Sequence, residues 1–306
     1  MNILHMRYAV EVAKIGSINK ASEILLTAQP NLSRAIKDLE SDLGIAIFDR
    51  STKGMTLTPE GKEFISYATD ILEQIDDVEK MYRVGLPKKQ KFSISVPSAS
   101  YISNAFARFS SFISANPAEI FYKETDSYQA VQNILNSECK LGIIRYAERF
   151  DRYFKAMLDE KGLSYELIAE FQYVLIMRKG SRLASIPEIR FSDLPPLIEI
   201  THADTFVPSL PASQVRKEEL SDNIERRIFV FERASQFELL SENEDTFMWV
   251  SPQPNKILEK YGLVQRACSD NKKIYRDVLI HRKGYRLTEL DKQFITELCR
   301  SKREFL

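Results

Sequence analysis

The sequence predicts an α/β protein in three parts: a mainly helical N-terminal domain, a long helix, and a larger C-terminal domain. Three observations support this division. Residues 2–62 hold short helical patterns that are closed by turn residues. Residues 63–86 form a polar-apolar helical run that is free of Gly and Pro until Gly85. From Phe92 onward, strand-like runs alternate with helical ones, which is typical of strands joined by crossover helices and predicts a parallel sheet.

The composition is that of a globular protein with more than one domain. Of 306 residues, 44% are hydrophobic and 28% are charged, and this length exceeds one ordinary core. No run approaches the roughly 20 apolar residues of a membrane span, and the N-terminus lacks the order of a secretory signal. We therefore expect a cytoplasmic protein with no membrane partner. The three scattered cysteines predict neither a disulfide framework nor a metal site: Cys139, Cys268 and Cys299.

The overall charge does not by itself indicate a nucleic-acid partner. Lys plus Arg and Asp plus Glu both number 43, and residues 1–62 hold eight basic against seven acidic residues. A case for DNA binding therefore depends on where the basic residues lie rather than on their number.

The first two helices are predicted from an apolar stripe and a turn. Four residues follow the spacing of one buried helix face: Leu4, Tyr8, Val12 and Ile15. Gly16 ends this helix, and Ser17 can cap the next one by accepting a backbone hydrogen bond. The second helix is short, and its small alanine allows a close helix crossing. Its expected inward residues are Ala21, Ile24 and Leu25.

The third helix, at about 29–42, has a buried face and a polar face. Thr27 is its expected N-cap, and Pro30 falls in the first turn, where a backbone N–H has no helical partner. The buried face is Leu32, Ala35, Ile36 and Leu39, and the opposite face carries Gln29, Ser33, Arg34 and Lys37. The polar side chains can read bases or hold phosphates in a major groove. The alternative, an ordinary solvated face, is the more typical one for an isolated helix.

A short hairpin after this helix favours the DNA-binding interpretation. Ile47-Phe48 and Thr56-Leu57 are strand-like, with a turn between them. A hairpin that directly follows a recognition helix is a wing, from which Arg50 and Lys53 could reach the phosphate backbone or the minor groove. The N-terminal domain is thus predicted to be a winged helix-turn-helix.

The N-terminal residues resemble those of the LysR-type transcriptional regulators. The spaced matches are Gly16-Ser17-Ile18, Ala21-Ser22, Leu25, Gln29-Pro30, Leu32-Ser33, Ile36, Leu39-Glu40, Leu43-Gly44, Phe48-Asp49-Arg50, Leu57-Thr58 and Gly61. The resemblance implies groove-facing positions and a wing contact, which are Gln29, Pro30, Ser33, Arg34 and Arg50. Ser22 stands where the family usually has a second Ala, and Ala28 where Ser or Thr is common. We therefore do not count Ala28 as a DNA contact.

The helix from Pro59 to Val84 carries an apolar seam with heptad spacing: Phe64, Ala68, Ile71, Ile75, Val78 and Tyr82. Such a helix can pack on its own domain or on a second copy. We favour dimerisation, because one winged domain reads only a half-site and a two-fold pair reads two. The resemblance implies the same pairing, and tetramers made from two dimers are common in the family.

By resemblance, the C-terminal domain has the periplasmic-binding-protein architecture of two α/β lobes. We expect a DNA-binding domain at 1–62, a linker at 63–90 and an effector domain at 91–306. Lobe I would hold about 91–165 and 267–306, and lobe II about 166–266. A small-molecule effector would bind between the lobes, at the carboxyl ends of strands. The predicted contacts are Ser98, Ser100, Thr125, Arg145, Thr201 and Phe231.

Two charged residues near this site have alternative roles. Arg145 could clamp a carboxylate of the effector, but we favour a salt bridge with Glu148 or Asp151. Asp126 could repel anions, but we favour a role as the cap of the helix that begins near Tyr128.

The predicted function is sequence-specific regulation of transcription in response to a small molecule, by a homodimer or tetramer on double-stranded DNA. RNA polymerase is a further candidate partner. An architectural DNA binder would not need a C-terminal domain of more than 200 residues. An enzyme with an appended DNA-binding domain is disfavoured, because His5, His202 and His281 lie in no metal-ligand spacing and no Gly-rich phosphate loop occurs. We expect no catalytic residue, no cofactor and no metal.

Overall fold

The computed structural model divides the chain into two compact units, which are Met1–Gln90 with Leu135–Ser137, and Lys91–Ile134 with Glu138–Leu306. It describes residues 1–51, 54–83, 89–113, 117–202, 206–220, 223–230 and 235–306. Two residues predicted as contacts, Lys53 and Phe231, lie outside this range. Among the helices described, none has the length and apolar character to cross a membrane.

The first unit is mainly helical, with a two-stranded hairpin before its last helix. Its elements are α1 (Ile3–Ile15), α2 (Ile18–Ile24), α3 (Gln29–Leu43), β1 (Phe48–Ser51), β2 (Gly54–Leu57) and α4 (Pro59–Arg83). Gly16 ends α1 as predicted, at φ 69°, a left-handed conformation that glycine adopts without a Cβ clash. Ser17 caps α2 as predicted, because its side chain accepts a hydrogen bond from the backbone N–H of Lys20.

The core of this unit corrects the predicted face of α1. The helix packs against both α3 and α4, so its buried side is broader than a single stripe. Val12 is buried as predicted, and Tyr8 and Ile15 pack against the core, but Leu4 is 50% exposed. The buried residues of α1 are Met6, Ala9, Val10 and Val12.

The inward face of α2 is also partly different from the prediction. Ala21 is fully buried as expected, whereas Ile24 is 65% exposed. Ser22 is buried beside Ala21, and its hydroxyl donates to the Asn19 carbonyl at 2.7 Å. A serine can thus replace an apolar residue here because its own helix satisfies the hydroxyl.

The start of α3 corrects the predicted cap. Ala28 is the N-cap residue, and no side chain caps this helix. Thr27 instead closes the turn after α2, since its backbone N–H bonds the Ser22 carbonyl and Leu26 adopts φ 49°. Pro30 falls in the first turn, as predicted. The predicted buried face is confirmed: Leu32, Ala35, Ile36 and Leu39.

The hairpin is antiparallel and fixed to its neighbours. Arg50 lies opposite Met55 in the register of β1 and β2. Glu40 of α3 accepts a hydrogen bond from the Ile47 backbone N–H at 2.8 Å, which ties the helix to the start of β1. Gly61 allows α4 to begin close to the hairpin, because a Cβ at this position would lie 2.0 Å from the Ile47 carbonyl oxygen.

Within its own domain, α4 uses only part of the predicted seam. Ala68 is fully buried, and Phe64 packs against the core of the first unit. Ile71, Val78 and Tyr82 are exposed, Tyr82 by 78%. The intramolecular alternative therefore holds for the first part of the seam, and three of its later residues face solvent in this chain.

The described residues of the second unit form ten strands in two sheets. The strands are β3 (Gln90–Val96), β4 (Ala118–Glu124), β5 (Leu141–Ala147), β6 (Leu163–Gln172), β7 (Val174–Arg178), β8 (Ile198–His202), β9 (Arg227–Val230), β10 (Thr246–Val250), β11 (Leu263–Arg266) and β12 (Ile274–Arg282). The first sheet has the order β4-β3-β5-β12-β6, and the second has the order β11-β7-β10-β8-β9. This is the predicted two-lobed α/β architecture, with one sheet in each lobe.

In the described part of this unit, six α-helices lie between these strands and a seventh follows the last strand. They are α5 (Ser100–Phe109), α6 (Ser127–Leu135), α7 (Asp151–Glu160), α8 (Ala212–Glu219), α9 (Gln236–Glu242), α10 (Asn255–Lys260) and α11 (Glu289–Phe305). α8 buries only Val215, so it has no apolar stripe that a sequence pattern could reveal.

The sheets are mixed, which corrects the expectation of a parallel sheet. β3 is parallel to β5, and β8 is parallel to β9 and β10. β12, however, is antiparallel to β5 and β6, and β7 is antiparallel to β10 and β11.

The boundary between the lobes also differs from the prediction. The crossing between the lobes lies between β6 and β7, because β6 belongs to the first sheet and β7 to the second. The chain therefore leaves lobe I at Tyr173 rather than near residue 165. Strand-forming residues continue through the crossing, so the sequence pattern gives no sign of it.

Candidate DNA-binding face and effector cavity

The outer face of α3 is polar and points away from the core of the first unit. Gln29, Arg34 and Lys37 are exposed, and Ser33 is half-buried. Pro30 is exposed at the start of the same helix. Within the part of the chain that the structure describes, neither Arg34 nor Lys37 forms an ion pair. Their charges are therefore available to a negatively charged partner.

Hydrogen bonds hold the hairpin against the neighbouring elements of the domain. The Met55 backbone N–H donates to the Gly16 carbonyl at 3.0 Å, which ties the hairpin to the turn between α1 and α2. The Thr58 hydroxyl donates to the Ala46 carbonyl at 2.6 Å and accepts from the Gly61 backbone N–H at 2.8 Å. A recognition surface is most precise when a packed scaffold fixes its side chains.

The hairpin occupies the position of the predicted wing. Arg50 belongs to β1, but its side chain lies outside the described part of the structure, as does the whole of Lys53. Contacts of these two residues with DNA therefore stay a prediction.

The second unit contains a cavity of about 870 Å³, lined from both of its sheets. This volume suits a small molecule. The cavity brings together the carboxyl ends of β3, β4, β5 and β8, and five of the predicted contacts lie on its wall: Ser98, Ser100, Thr125, Arg145 and Thr201.

The charge of Arg145 is used within the fold. Its guanidinium donates two hydrogen bonds to the Asp277 carboxylate of β12, from Nε at 2.7 Å and from Nη2 at 2.6 Å. It also donates to the Ser98 carbonyl at 3.3 Å and lies over the Phe171 ring, 4.8 Å from its centroid. The favoured salt bridge is thus present, but with a different partner from those predicted.

Asp277 is fully buried and receives a third hydrogen bond, from the Tyr101 hydroxyl at 2.6 Å. Burial alone would lower the pKa of Arg145, but the adjacent Asp277 carboxylate raises it above its ordinary value. Burial, together with the same carboxylate, raises the pKa of Tyr101 well above 10. Tyr101 therefore stays a neutral donor, and the group forms a buried pair with its hydrogen bonds satisfied.

The acidic residues proposed as partners of Arg145 bind elsewhere. Glu148 and Asp151 both pair with Arg276, at 2.8 and 2.9 Å. Asp126 takes the favoured capping role, because its carboxylate accepts a hydrogen bond from the Gln129 backbone N–H at 2.7 Å.

The lobe II side of the cavity carries a second buried pair. Glu199 accepts a hydrogen bond from Arg227 at 2.7 Å. Burial raises the pKa of Glu199, although Arg227 opposes this effect. The charge on this wall is therefore neutralised locally.

A third group of bonds spans the edge of the cavity. Lys273 donates to the carbonyls of Glu218 and Glu219 at 2.9 and 3.1 Å. The Glu219 carboxylate accepts from Arg149 and from the Tyr275 hydroxyl, both at 2.7 Å. Burial lowers the pKa of Lys273, with Glu219 acting against it. Nearby, the Ser100 hydroxyl donates to Gln253, so the lobes are also joined at the start of α5.

Sequence reasoning missed several cavity residues. Glu199 is a single acid among the apolar residues of β8, and a lone charge in a buried strand is a usable signal for a paired site. Asp277 of β12 was also missed, and it is the buried partner of the wall residue Arg145. Gln236 begins α9, and Ser251 and Gln253 lie in the connection after β10. None of the three belongs to a motif, and no sequence signal identifies them.

Comparison with known proteins finds similarity in the N-terminal part of the chain. Residues 3–62 match the model described as bacterial regulatory helix-turn-helix protein, lysR family. The HTH-type transcriptional regulator YcgK of Bacillus subtilis, itself uncharacterized, is 43% identical over 102 residues, 32% of this chain and 30% of its own length. BenM of Acinetobacter baylyi is 39% identical over 95 residues, 28% of this chain and 31% of its own length. The chain thus spans about a third of the length of the curated relatives it matches.

Two solved structures share the fold along nearly the whole chain. Full-length LysG of Corynebacterium glutamicum, solved with bound effector Arg, has a TM-score of 0.66 at 14% identity, covering 100% of this chain and 99% of its own. ArgP of Mycobacterium tuberculosis has a TM-score of 0.66 at 13% identity, covering 98% of this chain and 97% of its own. At such identities the likeness concerns the fold alone.

Fold and site together define a class of protein, in which a helix-turn-helix domain precedes a long helix and a two-lobed α/β domain with a ligand-sized cavity. Within this class, residues 3–62 match the model of the lysR family of bacterial regulatory helix-turn-helix proteins. The chain as a whole has the fold of full-length LysR-type regulators.

Proposed function

We propose that this protein is a sequence-specific DNA-binding transcriptional regulator of the LysR type that responds to a small molecule. The outer face of α3 carries the proposal, because it presents basic and amide side chains that have no partner among the described residues, on a helix whose other side is buried. Gln29 suits adenine and Arg34 suits guanine, while Ser33 and Lys37 can hold phosphates. Arg50 and Lys53 of the wing would add backbone contacts.

Selection of bound sequences from random duplexes tests this function, followed by binding titrations with Arg34→Ala. If Arg34 reads a base, the change costs about 1–3 kcal/mol and relaxes preference at one position. Lys14→Ala is the control, since Lys14 is an exposed lysine of α1 paired with Glu11 at 2.7 Å. Equal weakening on all sequences would make Arg34 a phosphate contact. No sequence preference of the wild type at moderate salt would refute the function.

The cavity of the second unit is the proposed effector site, with Ser98, Ser100, Thr125 and Thr201 on its wall. A ligand that binds one arrangement of the lobes more tightly than another shifts their equilibrium by its difference in affinity. Such a shift would change the placement of the DNA-binding domains. Arg145 would form part of the cavity wall rather than bind a carboxylate of the ligand, because its guanidinium is already paired with Asp277.

We propose further that the chain acts as a homodimer or tetramer paired through the exposed part of α4. Val78 and Tyr82 expose apolar surface there without a partner in the chain's own core. Val78→Lys should shift the protein towards monomer in sedimentation, whereas Glu73→Lys, on an exposed position of the same helix, should not. An unchanged oligomer in Val78→Lys would contradict this interface.

RNA polymerase and a cytoplasmic location complete the proposal, since a regulator of transcription works where the genome and the polymerase lie. Regulation of this kind needs no catalytic step, and the relatives named above are transcriptional regulators. We therefore assign no enzymatic activity and no cofactor other than the effector.

A further inference from the structure

Two buried polar atoms on the lobe II wall of the cavity lack a hydrogen-bond partner among the described residues. They are the Ser251 hydroxyl, on a residue 2% exposed, and Oε1 of Gln236, on a residue 7% exposed. Both residues line the cavity. A buried polar atom without a partner costs free energy. Such a pair therefore indicates where a ligand would complete the bonding.

The two residues lie at the same edge of the second sheet. Ser251 directly follows β10, and Gln236 begins α9, the helix after β9. β8 lies between β9 and β10 and is parallel to both, so the carboxyl ends of all three strands share one edge. α9 also packs against β10. We treat Gln236 and Ser251 as one polar subsite.

Neighbouring polar groups are already satisfied, which distinguishes this subsite from the wall around it. The Gln253 amide nitrogen donates to the Ser251 carbonyl at 2.7 Å. The Gln253 backbone N–H donates to Gln265 at 2.8 Å, and Gln265 donates back to the Gln253 carbonyl at 3.0 Å. These side chains hold the connection after β10 in place and leave the Ser251 hydroxyl open.

The charges of the wall do not favour an anionic ligand. The lysines and arginines on the described wall are Arg145, Lys217 and Lys273. Arg145 is held by Asp277, and Lys273 is held by two carbonyls. Lys217 is exposed to solvent, where an ion pair contributes little. Five acidic residues line the same wall: Glu124, Asp126, Glu199, Glu218 and Glu219.

We infer that the subsite of Gln236 and Ser251 binds an uncharged group that both donates and accepts hydrogen bonds, such as a carboxamide or a hydroxyl, at the end of an apolar body. A carboxylate only accepts, so it cannot serve Oε1 of Gln236, and an ammonium only donates, so it leaves the Ser251 proton unbound. The apolar body would pack on the surrounding side chains: Phe237, Met248, Trp249, Val250, Ile257 and Tyr261. This inference deepens the proposed function by naming the class of effector.

The first test needs no ligand. Ser251→Ala removes a hydroxyl without a partner, so the melting temperature of the full chain should stay the same or rise. Ser181→Ala is the matched control, because Ser181 is a fully buried serine of the same lobe whose hydroxyl accepts from the Ala184 backbone N–H at 3.2 Å. The control should lower the melting temperature by about 2–4 °C. An equal fall in Ser251→Ala would overturn the inference, because the hydroxyl would then have a partner in the protein.

The second test uses three probes with one body: phenylacetamide, phenylacetate and phenethylamine. The full-length protein is titrated with each by calorimetry. We expect the amide to bind about tenfold more tightly than either charged probe. Ser251→Ala and Gln236→Leu should each weaken the binding of phenylacetamide by about two- to tenfold. Ser181→Ala should bind phenylacetamide with the affinity of the wild type.

Each other outcome is decisive. Tighter binding of phenylacetate or phenethylamine, or no binding of the amide, overturns the assigned ligand class. Amide binding that survives both substitutions overturns the subsite. Sequence selection on DNA is measured on the same preparations, so that a failed ligand class with retained DNA preference leaves the proposed function standing. Loss of DNA preference in the wild type refutes the function independently of the titrations.

Discussion

The outer face of α3 and the wall of the cavity carry the same kinds of side chain in opposite states. Arg34 is exposed and has no ion-pair partner in the described part of the chain. Arg145 is buried, with two hydrogen bonds to Asp277 and an aromatic ring below it. Both were predicted as ligand contacts because each stands where its element would present a cation. The fold brings a carboxylate to Arg145, whereas none of the described residues brings one to Arg34.

Residues far away in the chain thus decide whether the charge of an arginine is free to bind a ligand. Asp277 lies 132 positions from Arg145 in the chain and becomes its partner only because β12 pairs with β5. Among the described residues of the first unit, no carboxylate pairs with Arg34. We therefore expect the loss of Arg145 to reduce the stability of the fold and the loss of Arg34 to weaken DNA binding.

The largest effect should follow Arg145→Ala. This change leaves Asp277 as a buried charge with no cation, which costs about 3–5 kcal/mol of unfolding free energy. Arg34→Ala is the matched control and should stay within about 0.5 kcal/mol, as surface changes usually do. Urea unfolding of both variants measures the difference. Equal losses of unfolding free energy in the two variants would contradict a structural role for Arg145 that Arg34 does not share.

A somewhat smaller effect is expected on the buried side of α3. Leu32→Ala opens a cavity in the core of the first unit, where Leu32 is fully buried, and should cost about 2–5 kcal/mol. Ser33→Ala, the next residue on the polar side, should leave stability within about 0.5 kcal/mol and weaken DNA binding instead. Unfolding curves and DNA titrations on both variants separate the two faces. Stability loss in Ser33→Ala equal to that of Leu32→Ala would mean that the helix is oriented differently.

The first unit could be predicted closely because its signals are local. The spacing in α3, the glycine that ends α1 and the serine that caps α2 each act within a few residues. The errors occurred where tertiary packing decides the outcome. Leu4 and Ile24 match a helical stripe but lie where no neighbouring element covers them. Thr27 suits an N-cap by type, but the turn at Leu26 moves the cap to Ala28.

The cavity could be predicted only in part. Strand ends predicted Ser98, Ser100, Thr125 and Arg145 on the lobe I side of the cavity and Thr201 on the lobe II side, because parallel strands within a sheet bring their carboxyl ends together. The partner of Arg145 could not be predicted, since antiparallel pairing by the last strand brings it from the far end of the chain. Gln236 and Ser251 follow strands without any distinctive motif, and only the absence of a bonding partner in three dimensions makes them notable.

A moderate effect should follow the loss of the bond between the lobes at Ser100. Ser100→Ala removes the hydrogen bond to Gln253 and should cost about 0.5–1.5 kcal/mol, with faster hydrogen exchange at the start of α5. Ser103→Ala is the control, because Ser103 also lines the cavity but bonds only the carbonyl of Ser100, at 3.1 Å within its own helix. Equal exchange rates in the two variants would show that Ser100 does not hold the lobes together.

The smallest effect should depend on pH and concerns Asp151, the acid first considered as a partner of Arg145. Burial acts to raise its pKa, but hydrogen bonds from Lys155, Arg276 and Tyr146 outweigh burial and lower it below the ordinary value. A lowered pKa in the folded state stabilises the protein above the unfolded value, about 3.9, and this contribution is lost as the pH falls through the folded value. The wild type should therefore exceed Asp151→Asn in unfolding free energy at pH 5–7, and the gap should close on acidification below about pH 4. Glu63→Gln, at an exposed position of α4, should show no such gap. A gap for Asp151→Asn that persists unchanged at pH 2 would mean that packing rather than charge accounts for it.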